Sequence, residues 1–294
     1  MAGYEVIGNE ELDEIKDIFS NGGVLFRHGF DQIRNGTYKV RDFEDAFANR
    51  MGAKCALAVS SGTAALRVAL AALEIPKGSQ VIAPSFTFVA TVEAIIESGA
   101  VPVCVDVDDT LNIDPEALED AITDETAAVI VVHMLGTPAR LVEIKSICEK
   151  HNLLLIEDTA WGCGGSLDNK FLGTWGDIGT FSFDFAKTMT TGEGGMLIFK
   201  DKKFYEKALA WHDHGHENNP NLARWEDSRS SSGFNFRMME LQGAIGLAQL
   251  RKLNKVINRQ RFLSKKIWDH IKDIEGIEKR EEINNSSPTS DALI

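Results

Sequence analysis

The chain has 294 residues, 44% of them hydrophobic and 26% charged, which is the balance of an ordinary globular protein with one large core, or one large domain and part of a second. Its formal net charge of -13 argues against binding the phosphate backbone of nucleic acid or an anionic membrane surface. A local basic pocket for one anionic ligand stays possible.

From the start, "MAGYEVIGNEELDEIK" is acidic and lacks an apolar centre, so it does not read as a signal peptide. No apolar run approaches the ~20 residues of a membrane span. Seven short runs then read as strands: 55–60, 80–86, 101–108, 127–134, 153–160, 179–185 and 194–199. Between most of them lie "AALRVALAALE", "FVATVEAIIESG" and "ARLVEIKSICEKHN", with apolar residues at helical spacing. This alternation predicts an α/β protein with a mostly parallel central sheet and helices on both faces. The last two runs are separated by about eight residues, short of the dozen that a parallel crossover needs, so one of them is expected antiparallel. Beyond about residue 200, "DKKFYEKALAW" reads as a helix and 212–237 as a long polar loop. A long amphipathic helical stretch starts at "MMELQGAIGLAQL", and "SDALI" at the end reads as the start of a strand.

Cys55, Cys104, Cys148 and Cys163 form no Cys-x-x-Cys pair. Three lie among apolar or small residues and read as buried free thiols, which suits a reducing cytoplasm. In "HDHGH", His212, His214 and His216 alternate around Asp213. A metal site is conceivable there, but a solvated or substrate-facing loop is the reading adopted.

Three features could carry chemistry. Ser60, Ser61, Gly62 and Thr63 stand between a strand and a helix, where free backbone N–H groups and the helix dipole attract an anion. The same residues would also serve as a plain N-cap. Asp158 ends the strand "LLLIED", at the strand end where ligands gather in open α/β sheets. It is either a ligand carboxylate or a structural cap, and Glu157 should point to the opposite face. Lys187 follows another strand, with Ser182 five residues before it. It is either a solvated lysine or an amine made nucleophilic by burial. Together these supply the phosphate cradle, anion and amine that pyridoxal 5'-phosphate needs. Phe86 and Phe88 in "PSFTFVAT" could stack on its ring or simply pack in the core.

The segments "SSGTAAL", "PSFTFVAT", "IEDTAWGCGG", "GDIGTFSFDFAKTMTTGEGG" and "GFNFRMMELQGAIGLAQL" resemble the DegT/DnrJ/StrS sugar aminotransferases over nearly the whole chain. The resemblance implies a fold-type I enzyme in which Lys187 carries the cofactor as a Schiff base and Asp158 pairs with the pyridine nitrogen. It implies that Gly62, Thr63 and Ser182 bind the phosphate and that Phe88 stacks on the ring. Asn235 would reach the phosphate in a neighbouring subunit, giving a homodimer with shared sites. Within the family, "FRHGFDQIRNGTYKVRDFE" and "DHGHENNP" are similar to the branch that makes 8-amino-3,8-dideoxy-manno-octulosonate, a lipopolysaccharide sugar.

Three departures stand out. Trp161 occupies the place of a glutamine that contacts the cofactor's ring oxygen. Asp184 occupies the place of a histidine. Family members also continue well past residue 294, so residues 1–250 are expected to form the cofactor domain and 251–294 a linking helix and the start of a truncated C-terminal small domain. The expected activity is transfer of an amino group from an amino acid, with glutamate the expected donor, to a keto sugar. A sugar dehydratase of the same fold is the alternative, although that branch replaces the lysine with histidine. A non-catalytic regulatory protein is the other.

Overall fold

The computed structural model describes residues 2–219 and 221–289. Seven strands form one sheet. They are β1 (Cys55–Val59), β2 (Gln80–Pro84), β3 (Val101–Val105), β4 (Thr126–Val132), β5 (Leu154–Asp158), β8 (Ile178–Ser182) and β9 (Gly195–Phe199), in the spatial order β1-β9-β8-β5-β4-β2-β3. All neighbours pair in parallel except at β9, which runs antiparallel to both β1 and β8. The expected antiparallel strand is therefore β9.

Strand alternation divides the core between two faces. Leu57, Val59, Ile130, Ile156 and Leu197 face helices α3 (Gly62–Ala72), α4 (Val89–Ser98) and α7 (Lys202–Trp211). Ala56, Ala58, Phe181 and Met196 face α2 (Lys39–Met51) and α8 (Glu240–Ile271). Ile82, Val129 and Leu155 face α5 (Pro115–Asp120) and α6 (Leu141–His151) on that same second side. Helices thus cover both faces, as the pattern required. A further helix, α1 (Asn9–Ser20), lies against α8.

Several strands end sooner than their apolar runs. The runs to 86, 108, 160 and 185 stop at Pro84, Val105, Asp158 and Ser182. The residues beyond them form the loops at the carboxyl edge. A three-stranded sheet of β6 (Ser166–Leu167), β7 (Lys170–Phe171) and β10 (Ser286–Ser287) is too short to leave a periodic signal. The strand expected at 290–294 lies outside the described residues.

Two expectations are corrected. Cys148 and Cys163 are buried, but Cys55 is half-buried and Cys104 is exposed. The run "VPVCVDVD" is apolar, yet β3 is an edge strand paired only with β2. The "HDHGH" loop is not solvated, because His212 and His216 are buried and only His214 is exposed. His212 is bonded to the Leu209 carbonyl oxygen and His216 to Asp227, so the two rings serve different partners.

Candidate active site

At the carboxyl end of β1 the chain turns into α3. Ser61 caps this helix, its Oγ accepting from the Ala64 N–H at 3.0 Å. The N–H groups of Gly62 and Thr63 have no protein partner among the described residues, as expected in a first helical turn. Gly62 lies against β8, and a Cβ there would sit 2.7 Å from Ser182 Cβ. Only glycine lets the helix start approach Ser182 this closely. Ser60 is turned to another task, its N–H donating to the Phe236 carbonyl at 2.8 Å.

Asp158 ends β5 on the face shared with Ile156 and is 7% exposed. Its Oδ2 accepts from Thr91 Oγ1 at 3.0 Å and its Oδ1 from the Ala160 N–H at 3.1 Å. Burial pushes its pKa up; the two hydrogen bonds and the nearby Lys187 charge oppose this without cancelling it. Glu157 points to the opposite face, as strand alternation requires. There it accepts the N–H groups of Gly173, Trp175 and Gly176 and is paired with the His133 ring. The Ala139 N–H donates to His133 Nδ1, so the ring carries a proton on Nε2, toward Glu157.

Lys187 stands in a turn after β8. Its N–H donates to the Asp184 carbonyl at 3.1 Å, and Asp184 Oδ1 accepts the Ala186 N–H at 3.1 Å. The side chain leads back to the cleft, where Nζ lies 3.8 Å from the centre of the Trp161 ring. Burial pushes the lysine's pKa down, and the charges of Asp158 and Asp184 pull it partly back.

Gly62, Thr63, Phe88, Asp158, Trp161, Ser182 and Lys187 all line one cleft of about 320 Å³, joined by Thr87, Asp184 and Glu193. That volume falls within the ~300–1,000 Å³ usual for small-molecule sites. Phe88 is 67% exposed at the start of α4, whereas Phe86 does not line the cleft. Asn235 does not line it either. It is exposed in the 212–237 loop, bridged to Asp213. Asp213 anchors that loop through His28, Arg224 and Arg237. Burial alone would raise its pKa, but those partners hold it far below the carboxylate range.

Sequence reasoning missed Thr91. The signal was present in "PSFTFVAT", where Thr87, just before the N-cap of α4, and Thr91, in its first turn, bring their hydroxyls to 2.9 Å.

A model of the DegT/DnrJ/EryC1/StrS aminotransferase family matches residues 24–292. The chain belongs to that family. GDP-perosamine synthase of Escherichia coli O157:H7 is 40% identical over 230 residues, which cover 78% of this chain and 62% of that protein. The solved structure of 3-amino-5-hydroxybenzoic acid synthase superposes with a TM-score of 0.89 at 31% identity, over 97% of this chain and 72% of that one. The Escherichia coli GDP-4-keto-6-deoxy-D-mannose-3-dehydratase, solved with bound hydrated PLP, gives a TM-score of 0.86 at 30% identity, over 97% and 75%. The fold is therefore fold-type I. The chain spans less than two thirds of the length of that perosamine synthase. These relatives of the DegT/DnrJ/EryC1/StrS family lend no support to the narrower octulosonate likeness.

Proposed function

We propose that this chain carries the cofactor site of a pyridoxal-phosphate-dependent aminotransferase. It moves an amino group from an amino acid, with glutamate the expected donor, to a keto sugar in amino-sugar or cell-surface polysaccharide synthesis. One observation carries this reading: a half-buried lysine amine, a buried carboxylate and an open helix N-terminus line one cleft.

The residues fit the cofactor. The unpartnered N–H groups of Gly62 and Thr63, at the positive end of α3, suit its phosphate, with the Ser182 hydroxyl beside them. Asp158 is a buried carboxylate with no cation at hydrogen-bonding distance among the described residues, and a protonated pyridine nitrogen would supply one. Phe88 offers an aromatic face to the ring. Trp161 lines the same wall, where its contact is with the lysine.

When bound, the cofactor would supply an electron sink for the pair left at the donor's α-carbon. Asp158 holds the proton on the pyridine nitrogen, which keeps that sink effective. Lys187 holds the cofactor between turnovers. As a free amine it takes and returns a proton through Nζ, a task favoured by its lowered pKa. Phe88, Leu66 and Trp161 supply the apolar lining around these charges.

The relatives' names point to nucleotide-linked keto sugars as the acceptor class. Lys187, rather than histidine, favours amino transfer over dehydration. Phe88, which lines the cleft and is largely exposed, supports a second copy of the chain covering this face. In that homodimer Asn235 reaches the neighbour's cofactor phosphate. Residues 1–250 are read as the cofactor domain and those from 251 on as the linking segment, whose Leu253 and Ile257 pack into the same core. The acidic, disulfide-free chain suits the cytoplasm, and no described helix is long and apolar enough to cross a membrane.

Adding pyridoxal phosphate should produce an absorbance band near the edge of the visible. Glutamate should abolish the band and a keto-sugar acceptor should restore it. A band indifferent to amino acids would contradict amino transfer.

A further inference from the structure

Residues 3–6 form a single 3-10 turn that touches the lysine-bearing turn directly. The Gly3 N–H donates to the Lys187 carbonyl at 2.9 Å, the one hydrogen bond described at that oxygen. The Tyr4 ring stacks on Phe185, centroids 4.4 Å apart and planes 14° from parallel. Gly3 is buried so closely that a Cβ would lie 2.7 Å from Gln249 Oε1, 2.8 Å from Met189 Cα and 2.8 Å from the Thr190 nitrogen.

The segment is itself anchored. Lys252 Nζ donates to the Val6 carbonyl at 2.8 Å and to Glu11. Gln249 Nε2 donates to Glu11 Oε1 at 2.8 Å, while Gln249 Oε1 accepts the Thr190 N–H at 3.4 Å. Glu11 and Gln249 are almost fully buried. One network therefore ties α1, α8, the 3–6 turn and the lysine turn together.

The Lys187 side chain needs such support. Its amine makes no hydrogen bond or ion pair among the described residues, and its ring contact with Trp161 has little directional hold. The backbone of the turn therefore decides where the amine sits. Among the described residues, Asp184 supplies the hydrogen bonds within the turn that restrain Lys187 and Ala186.

We propose that Gly3 and Tyr4 are positioning residues of the lysine site, holding the 184–190 turn so that the Lys187 amine stays against Trp161. This rests on the reading of Lys187 as the cofactor-holding amine. Without the clamp the turn loosens and the amine moves toward water. The charged groups facing it are Asp158 at the end of β5 and Asp184 in its own turn, and Glu193 lines the same cleft.

The test uses the cofactor-free full chain and three variants, Tyr4→Ala, Tyr4→Phe and Gly3→Val. Trace acetic anhydride labels each protein across a pH series, and mass spectrometry follows the Lys187 peptide. Reagent access alters the amplitude of the curve, whereas its midpoint follows the amine's surroundings. Tyr4→Ala and Gly3→Val should move the midpoint up by about 0.5 pH, leaving about threefold less free amine at a fixed pH below it. Tyr4→Phe keeps the stacking ring and should match the parent. Tyr4 is 42% exposed, so its replacement tests the clamp even if Gly3→Val fails to fold. Equal midpoints for the parent and Tyr4→Ala would overturn the proposal. Borohydride trapping of pyridoxal phosphate on the parent separates the two readings. An adduct away from Lys187 would remove the functional reading, whereas an adduct on Lys187 with an unmoved Tyr4→Ala midpoint would remove only the clamp.

Discussion

Lys187 Nζ rests 3.8 Å from the centre of the Trp161 ring, with no hydrogen bond or ion pair of its own among the described residues. The π face favours the charged amine by about 0.5–2 kcal/mol, while burial disfavours it. Burial lowers the amine's pKa below that of an ordinary lysine, against the pull of Asp158 and Asp184. Trp161 thus gives the amine a resting place that does not lock it into an ion pair. An amine bound tightly to Asp158 or Asp184 would be a poor nucleophile and a poor base.

Asp158→Asn should lower turnover at least ~10²-fold, the scale of a group that stabilises developing charge. It should lower cofactor affinity far less. The same substitution should change the pH dependence of stability. Because the folded pKa of Asp158 is raised above 3.8, the folded state binds more protons than the unfolded one between those values. The cofactor-free parent therefore loses stability as pH rises through that window, with the penalty full above it. Asp158→Asn should lack that fall. Urea unfolding at a series of pH values, with steady-state rates on the same samples, checks both outcomes.

Thr91→Val removes one of the two donors to the Asp158 carboxylate while keeping the side-chain shape. A lost hydrogen bond to a buried charged group is worth ~1.5–3 kcal/mol. The variant should therefore turn over about tenfold or more slowly. The pH at which activity appears should also move up, because the carboxylate has lost a stabilising donor. A Thr91→Ser variant should recover most of the rate. Unchanged pH–rate profiles in Thr91→Val would place Thr91 outside the site's function.

Gly62→Ala puts a Cβ 2.7 Å from Ser182 Cβ, where neither backbone has room to yield freely. Overpacking of this kind costs ~1–3 kcal/mol, and here it would displace the N–H groups that face the phosphate. Equilibrium dialysis should show about tenfold or greater loss of pyridoxal phosphate affinity. Binding of pyridoxal, which lacks the phosphate, should change little. Equal losses for both ligands would argue that Gly62 serves the fold alone.

The central sheet was legible because its strands are nearly continuous apolar runs, buried on both faces, that alternate with amphipathic helices. Lys187, Asp158 and Gly62 were legible because they interrupt those runs at strand ends. What stayed hidden depends on contacts distant in sequence. Thr91 is an ordinary helix residue until β5 brings Asp158 beside it. Gly3 is unremarkable in sequence until α8 and the lysine turn close around it. His212 and His216 were misread because alternation in a polar stretch looks solvated, whereas the loop folds back on itself through Asp213–Asn235 and His216–Arg229 bridges. Cys104 was misread because nothing in a short apolar run marks its strand as an edge.

The shared-site dimer predicts recovery from two defective parents. Lys187→Ala and Asn235→Asp variants should each be inactive or nearly so. In a mixed dimer one site carries both lesions and the other carries neither. Activity should partly return once subunits have exchanged. Failure to recover, in material shown by mass spectrometry to contain mixed dimers, would remove Asn235 from the partner's site.

The central claim is that Lys187 holds the cofactor, and reductive trapping tests it most directly. The chain is loaded with pyridoxal phosphate, reduced with borohydride, digested and sequenced by mass spectrometry. The account predicts one stoichiometric phosphopyridoxyl group on the Lys187 peptide, none in Lys187→Ala, and loss of the adduct when glutamate is added before reduction. A stoichiometric adduct on Lys170 or Lys200 with Lys187 unmodified would contradict it.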